Sequence, residues 1–200
     1  MSEDQKLARS AAIGAQAKVV YVSFTAEIVP KTTEALLGVC AEYANRGVEE
    51  IYLLLSCPGG SVMHGLAIHN VLRGLPCTVI THNVGNVDSI GNMVFLAGDR
   101  RYASPGTTFM FHGVGFDVRQ PIRFEEKLLR ERLDSVQADQ KRIGSVIIDR
   151  TNITEPEVND LFLEAVTRDV DYALARGIIH EVRNVQIPRG VPVQQLVFER

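Results

Sequence analysis

Apolar positions along the chain follow two spacings in turn. Three short runs rich in β-branched, aromatic and aliphatic residues read as strands: VVYVSF (19–24), EIYLLL (50–55) and CTVITH (77–82). The second is apolar almost throughout, as a strand covered on both sheet faces would be. Between them the spacing becomes helical. Leu36, Leu37, Cys40, Ala41 and Ala44 share one face of a helix predicted over 31–46, with Thr32 or Thr33 as its cap and Gly47 as its stop. Val62 to Arg73 reads as a second helix, closed by Gly74 and Pro76, and a third starts near Ser89.

RYAS (101–104) and TTFMFH (107–112) are short strands around a turn at Pro105–Gly106. A long, highly charged helix follows, from Pro121 to about Thr151. Its apolar positions Phe124, Leu128, Val136, Ile143 and Ile147 are only partly periodic, so it either protrudes to meet a neighbouring subunit or lies solvated on its own domain. Thr154 and Glu157 have the form of a capping box that starts a helix through about Glu164. A last helix spans Arg168 to Arg176 and stops at Gly177, and IIHEV (178–182) is a final strand. Strands alternating with helices predict an α/β fold with a mostly parallel sheet. The expected organisation is an N-terminal arm over 1–18, one domain over 19–183 and a tail over 184–200.

Composition narrows the partners. A net charge of −3 points away from nucleic acid and anionic membranes. No window approaches the roughly 18 apolar residues of a membrane span. Cys40, Cys57 and Cys77 are spaced by 17 and 20 residues, which matches no metal or redox pair, so structural thiols in a cytoplasmic, reducing compartment are expected. His64 and His69 are five residues apart, about 140° around a helix, and make a poor metal pair.

The segment GNVDSIGNM (85–93) sets a lone serine between glycines where a strand hands over to a helix. Ligands collect at the carboxyl ends of parallel strands, and a helix N-terminus favours developing negative charge. Ser89 is therefore either a nucleophile or a helix cap. Pro58–Gly59–Gly60 is either a plain turn or a place where bare amides hold an oxyanion. His112 ends an apolar strand after the serine and is the leading candidate base; His82 is a weaker one, and His180 reads as structural.

Taken together, SCPGGSVMHGLAIHNVL, GNVDSIGNM and SPGTTFMFHG resemble, in order, the Ser-Pro-Gly-Gly turn and helix, the Gly-x-Ala-x-Ser-Met-Gly segment and the histidine segment of the Clp protease proteolytic subunit, within the Clp/crotonase-like superfamily. The spacing from Gly60 to Ser89 agrees without a gap, and that from Ser89 to His112 needs a small deletion in an intervening hairpin. ITEPEVNDLFL and ALARGIIHEV resemble later helices, so the likeness spans about 19–183.

The resemblance implies repeated ββα units, a mostly parallel sheet and a long helix that joins rings. It implies a serine endopeptidase with Ser89 as nucleophile, His112 as general base and the amides of Gly60 and Ile90 as oxyanion hole. No metal or organic cofactor is implied. The implied partners are peptide or unfolded protein, further copies in heptameric rings, and a Clp-type ATPase unfoldase or a paralogous ring subunit. Cys57, Val87 and Asp88 depart from the family pattern. So does the third triad position: ungapped alignment from Gly177 places Leu161 there, with Asp160 beside it and Asp169 or Asp171 as fallbacks. These departures keep a non-catalytic ring subunit as one alternative; an acyl-thioester enzyme of the crotonase type is another.

Overall fold

The computed structural model describes residues 18–116, 118 and 123–198. The three apolar runs become the centre of one sheet. Strand β1 (Val19–Thr25) lies parallel to β2 (Glu50–Cys57), which lies parallel to β3 (Thr78–Asp88). Helix α1 (Pro30–Asn45) and helix α2 (Val62–Arg73) make the crossovers. Alternation sends Val20, Val22, Phe24, Ile51, Leu53 and Leu55 into the main core. Each large side chain so buried contributes about 1.5–3 kcal/mol.

Helix α1 starts one residue earlier than the sequence pattern suggests, at Pro30, where a missing N–H costs nothing. Thr32 does not cap it from outside. It sits inside the first turn, where its hydroxyl accepts from the Val29 amide at 3.0 Å and donates to the Glu27 carbonyl at 2.6 Å. Of the face read from the sequence, Leu36 and Cys40 are buried, whereas Ala41 is exposed and Tyr43 takes the inner position.

The largest difference concerns β3. The expected strand ended at His82, but the observed one runs on to Asp88. Two partners carry it: β4 (Arg100–Ala103) pairs with Ile80 to Asn83, and β5 (Thr108–Met110) pairs with Asn86 to Asp88. Both pairings are parallel, so β4 and β5 are not a hairpin. Between the two halves the register against β2 shifts, from Leu55 opposite Asn83 to Cys57 opposite Val87. Such a bulge bends the strand and re-aims its end. It delivers residue 89 beside the turn that follows β2, two residues ahead of helix α3 (Gly91–Leu96).

The expected long helix is α4 (Glu126–Arg150); Pro121 and Ile122 lie outside the described residues. Ile143 and Ile147 pack into the core, but Leu129 and Leu133 are 50% and 55% exposed, so the N-terminal part of the helix stands away from the domain. Helix α5 (Glu155–Glu164) has the expected capping box, with the Thr154 amide donating to Glu157 at 2.9 Å. Strand β6 (Thr167–Arg168), unanticipated, pairs antiparallel with β5, and helix α6 (Val170–Ala175) follows. The last predicted strand shrinks to β7 (Glu181–Val182) beside β4. The stretch read as a tail carries β8 (Val193–Gln195), which extends the sheet beyond β1.

Arg101 joins several of these elements. It is buried, and its guanidinium donates to the carbonyls of Gly98, Arg150, Gly177 and Ile178 at 2.7–3.2 Å. Those carbonyls lie at or just past the C-terminal ends of α3, α4 and α6, where the helix dipole is negative.

The second face of the sheet is aromatic. Tyr21 stacks on Tyr52 with ring centres 4.5 Å apart, and the Arg183 guanidinium lies 3.6 Å above the Tyr102 ring. His82 is fully buried here, with Nδ1 2.8 Å from the Tyr52 hydroxyl and Nε2 near Ser104 Oγ and the Arg183 carbonyl. It is therefore a structural histidine. Burial pushes its imidazole down to about 4, the Arg183 carbonyl opposing that shift and the Arg183 charge adding to it. An unfolded histidine titrates near about 6.5. The unfolded state thus takes up a proton first on acidification, and stability present above that pH is lost as pH falls towards 4. The loss reaches the order of 3 kcal/mol. Urea denaturation measured from pH 7 to pH 4 should show this slope. His82→Leu should flatten it, although His69, also pushed down by burial, leaves a remainder. An unchanged slope in His82→Leu counts against the assignment.

Candidate active site

Ser89 follows the last residue of β3 and holds a φ of 55°, the left-handed region. That conformation costs a side-chain-bearing residue about 1–2 kcal/mol. Backbone bonds hold it in place: its amide donates to the Met110 carbonyl at 2.8 Å, and its carbonyl accepts from the Asn92 amide at 3.1 Å and side chain at 3.0 Å. The helix cap is Ile90 rather than Ser89, and no side chain closes that cap. The Ser89 hydroxyl hydrogen-bonds to no described group. A serine with a free hydroxyl on a sharp turn between strand and helix is placed as a nucleophile is.

The turn after β2 presses against it. A Cβ at Gly59 would lie 2.7 Å from Ser89 Cβ, and one at Gly60 would lie 2.2 Å from the Ile28 carbonyl oxygen. Glycine is required at both, with φ of 104° and 138°. The bridge between Ile28 and Gly60 uses the Gly59 carbonyl and the Ser61 amide, at 2.8 and 2.9 Å. The Gly60 amide is left over, and so is that of Ile90; neither donates to a described group. Two unused amides beside a free hydroxyl are what an oxyanion hole needs.

These parts share a cavity of about 120 Å³ lined by Gly60, Ser89, Ile90 and His112. Its opposite wall is apolar, built from Phe111, Val114, Ile143 and Phe162. His112 is exposed, and its Nδ1 lies 2.7 Å from the Gly113 carbonyl. Ser89 and His112 do not hydrogen-bond each other in this state.

No described carboxylate lines the cavity. Asp160 is exposed on α5, and no described hydrogen bond or ion pair reaches it. Its neighbour Leu161 turns into the core instead, as a step of about 100° around the helix dictates. Asp169 caps α6 through the Tyr172 amide at 2.9 Å, and Asp171 is exposed. Asp88, one of the departures beside the serine, takes a hydrogen bond from Asn86 and does not line the cavity. Sequence reading missed Phe162, the apolar wall and the Gly113 carbonyl. The only sequence signal for the last was a glycine directly after the strand-ending histidine.

Cys57 Sγ accepts from the Gly59 amide at 3.4 Å, behind the glycine turn, and burial pushes its thiol up to about 11. It supports the turn rather than reacting. Among the described residues no cluster of three or more His, Cys, Asp or Glu could hold a metal ion, and no helix is long and apolar enough to cross a membrane.

The profile of the Clp protease family matches residues 12–186. The chain belongs to the Clp protease family. A relative from Thermobifida fusca, "ATP-dependent Clp protease proteolytic subunit 2", is 34% identical over 54% of this chain and 57% of its own. The corresponding proteolytic subunit of Paracoccus denitrificans is 32% identical over 65% of this chain and 68% of its own. The matched stretch thus spans about three fifths to two thirds of those relatives. Among solved structures, a ClpP1 mutant from Listeria monocytogenes superposes with a TM-score of 0.71 at 21% identity, covering 91% of this chain and 96% of that one. The ClpP catalytic domain from Plasmodium falciparum gives 0.70 at 21% identity, covering 95% of each. The α/β fold of this Clp protease family member, with its mostly parallel sheet, is therefore the ClpP fold.

Proposed function

We propose that the chain is a serine endopeptidase that cleaves peptide bonds through an acyl-enzyme on Ser89. The observation that carries this reading is a free serine hydroxyl, held at a φ of 55° at the end of the central strand, sharing a cavity with a histidine and two unused amides. In the reaction Ser89 Oγ attacks the scissile carbonyl carbon and its proton passes to His112 Nε2. The amides of Gly60 and Ile90 hold the oxyanion. His112 then protonates the leaving amine, and water, deprotonated by His112, releases the acyl group. Substrate brings the serine and histidine together; such contacts are often loose in a free enzyme. The apolar wall suits an apolar side chain next to the scissile bond.

The names of the relatives, ATP-dependent and proteolytic subunits, support assembly with further copies and an ATPase partner. The exposed Leu129 and Leu133 on α4 supply a surface for another subunit. The free thiols Cys40, Cys57 and Cys77 suit a reducing cytoplasm.

A fluorophosphonate probe should label Ser89, as read by peptide mass spectrometry, and His112→Ala should abolish labelling. An assembled, folded sample that takes up no probe overturns the reading. The unbonded Ser89 and His112, and a cavity with no carboxylate among its described lining residues, favour one second reading, a non-catalytic ring subunit. Hydrolysis of casein or fluorogenic peptides, alone or with a Clp-type unfoldase, that disappears in Ser89→Ala excludes it.

A further inference from the structure

We propose that the main-chain carbonyl of Gly113, not a carboxylate, orients His112; this rests on the peptidase reading above. A carbonyl can only accept, so the 2.7 Å contact to Nδ1 requires the ring proton on Nδ1. The lone pair is then on Nε2, the tautomer that a general base facing the serine needs. Gly113 itself is anchored through its other peptide group. The Gly113 amide donates to the Phe162 carbonyl on α5 at 3.0 Å. A Cβ at residue 113 would meet Gln140 Nε2 of α4 at 2.9 Å and the Phe162 oxygen at 3.3 Å. The residue lies between two helices, where an added Cβ would press on the Phe162 oxygen while the Gln140 side-chain tip could swing aside.

Among the described residues no charged group competes for the role. Asp139 pairs with Arg142 on α4 and Glu164 of α5 with Arg168 of β6, and no described charged side chain lines the cavity. Asp160 points to solvent, and Asp169 is committed to its helix cap. A neutral dipole fixes the tautomer and ring plane but stabilises the imidazolium less than a carboxylate does. Gly113 is thus a positioning residue.

The test replaces the amide between residues 113 and 114 by an ester in the full-length protein, with α-hydroxyisovalerate in place of Val114. The ester oxygen is a weaker acceptor, and the lost Val114 N–H donates to no described group. Fluorophosphonate labelling of Ser89 should slow about 10-fold, the loss of most of one hydrogen bond. The ¹⁵N spectrum of His112 should move from the Nδ1–H towards the Nε2–H tautomer, a change that loosened packing alone does not produce. Asp160→Ala should label within about twofold of the parent, as expected for an exposed residue without a partner. An ester variant with unchanged tautomer, or a loss of 100-fold or more in Asp160→Ala, overturns the proposal. If the parent protein takes up no probe, the peptidase reading falls, while the tautomer spectrum still decides whether the carbonyl holds His112.

Discussion

Gly60→Ala is expected to cut kcat/KM for peptide hydrolysis by about 10²- to 10³-fold, the cost of losing one oxyanion donor. The added Cβ would lie 2.2 Å from the Ile28 oxygen and 2.9 Å from the Ile28 carbon and nitrogen. All three are main-chain atoms in a bridge to β1's outgoing loop and cannot swing aside as a side-chain tip could. The residue would also have to hold a φ of 138°. The turn must move, and the free amide moves with it. Stability should fall as well, by about 1–3 kcal/mol for a backbone conformation that only glycine holds cheaply. Probe labelling and urea denaturation separate the two effects. Gly38→Ala is the control: it sits in α1 with nothing within 4 Å, and should stabilise the protein by about 1 kcal/mol without touching activity. A Gly60→Ala protein that hydrolyses peptide at the parent rate removes Gly60 from the oxyanion hole.

Arg101→Met should lower the unfolding free energy by about 3–5 kcal/mol. The arginine is 4% exposed and has no carboxylate partner among the described residues; four carbonyls from three segments take its protons. Burial pushes the guanidinium down to about 10, so it stays charged at neutral pH. Methionine fills much of the same volume but donates nothing, and buried acceptors without a donor each cost about 1–3 kcal/mol. Arg150, which donates to the Leu96 and Gly98 carbonyls, can recover only part of the loss. Arg101→Lys should fall between the two, because one ammonium cannot reach carbonyls spread around a planar fork. Denaturant midpoints for the three proteins test the order; equal midpoints contradict it.

The helices and inner strands were legible because their signals are local. Helix α2 has the bounds that its apolar spacing and its Gly74 stop suggested. The C-terminal half of β3 was not legible. Asn83 to Asp88 carries glycine and polar residues and reads as a turn, yet its backbone finds partners in β2 and β5 and extends. Sheet pairing outweighs weak strand propensity when the partner edge is already in place. The short strands β6 and β8 escaped notice for the same reason: pairing with β5 and β1, more than their own sequence, makes them strands.

By itself the sequence determined the alternation of strand and helix, and hence the fold class, because burial imposes periods of 2 and 3.6 residues on any chain with a covered sheet. It also pointed to Ser89 and His112 as groups that follow strands, although both strands end elsewhere than the sequence pattern suggested. Only the tertiary structure decided which groups meet. Asp160 and Leu161 are neighbours in the chain, but the phase of α5 against the core turns one outward and buries the other. The contact that fixes His112 comes from a main-chain carbonyl, and every residue has the same carbonyl to offer. Its direction is therefore set by packing between α4 and α5 rather than by residue type.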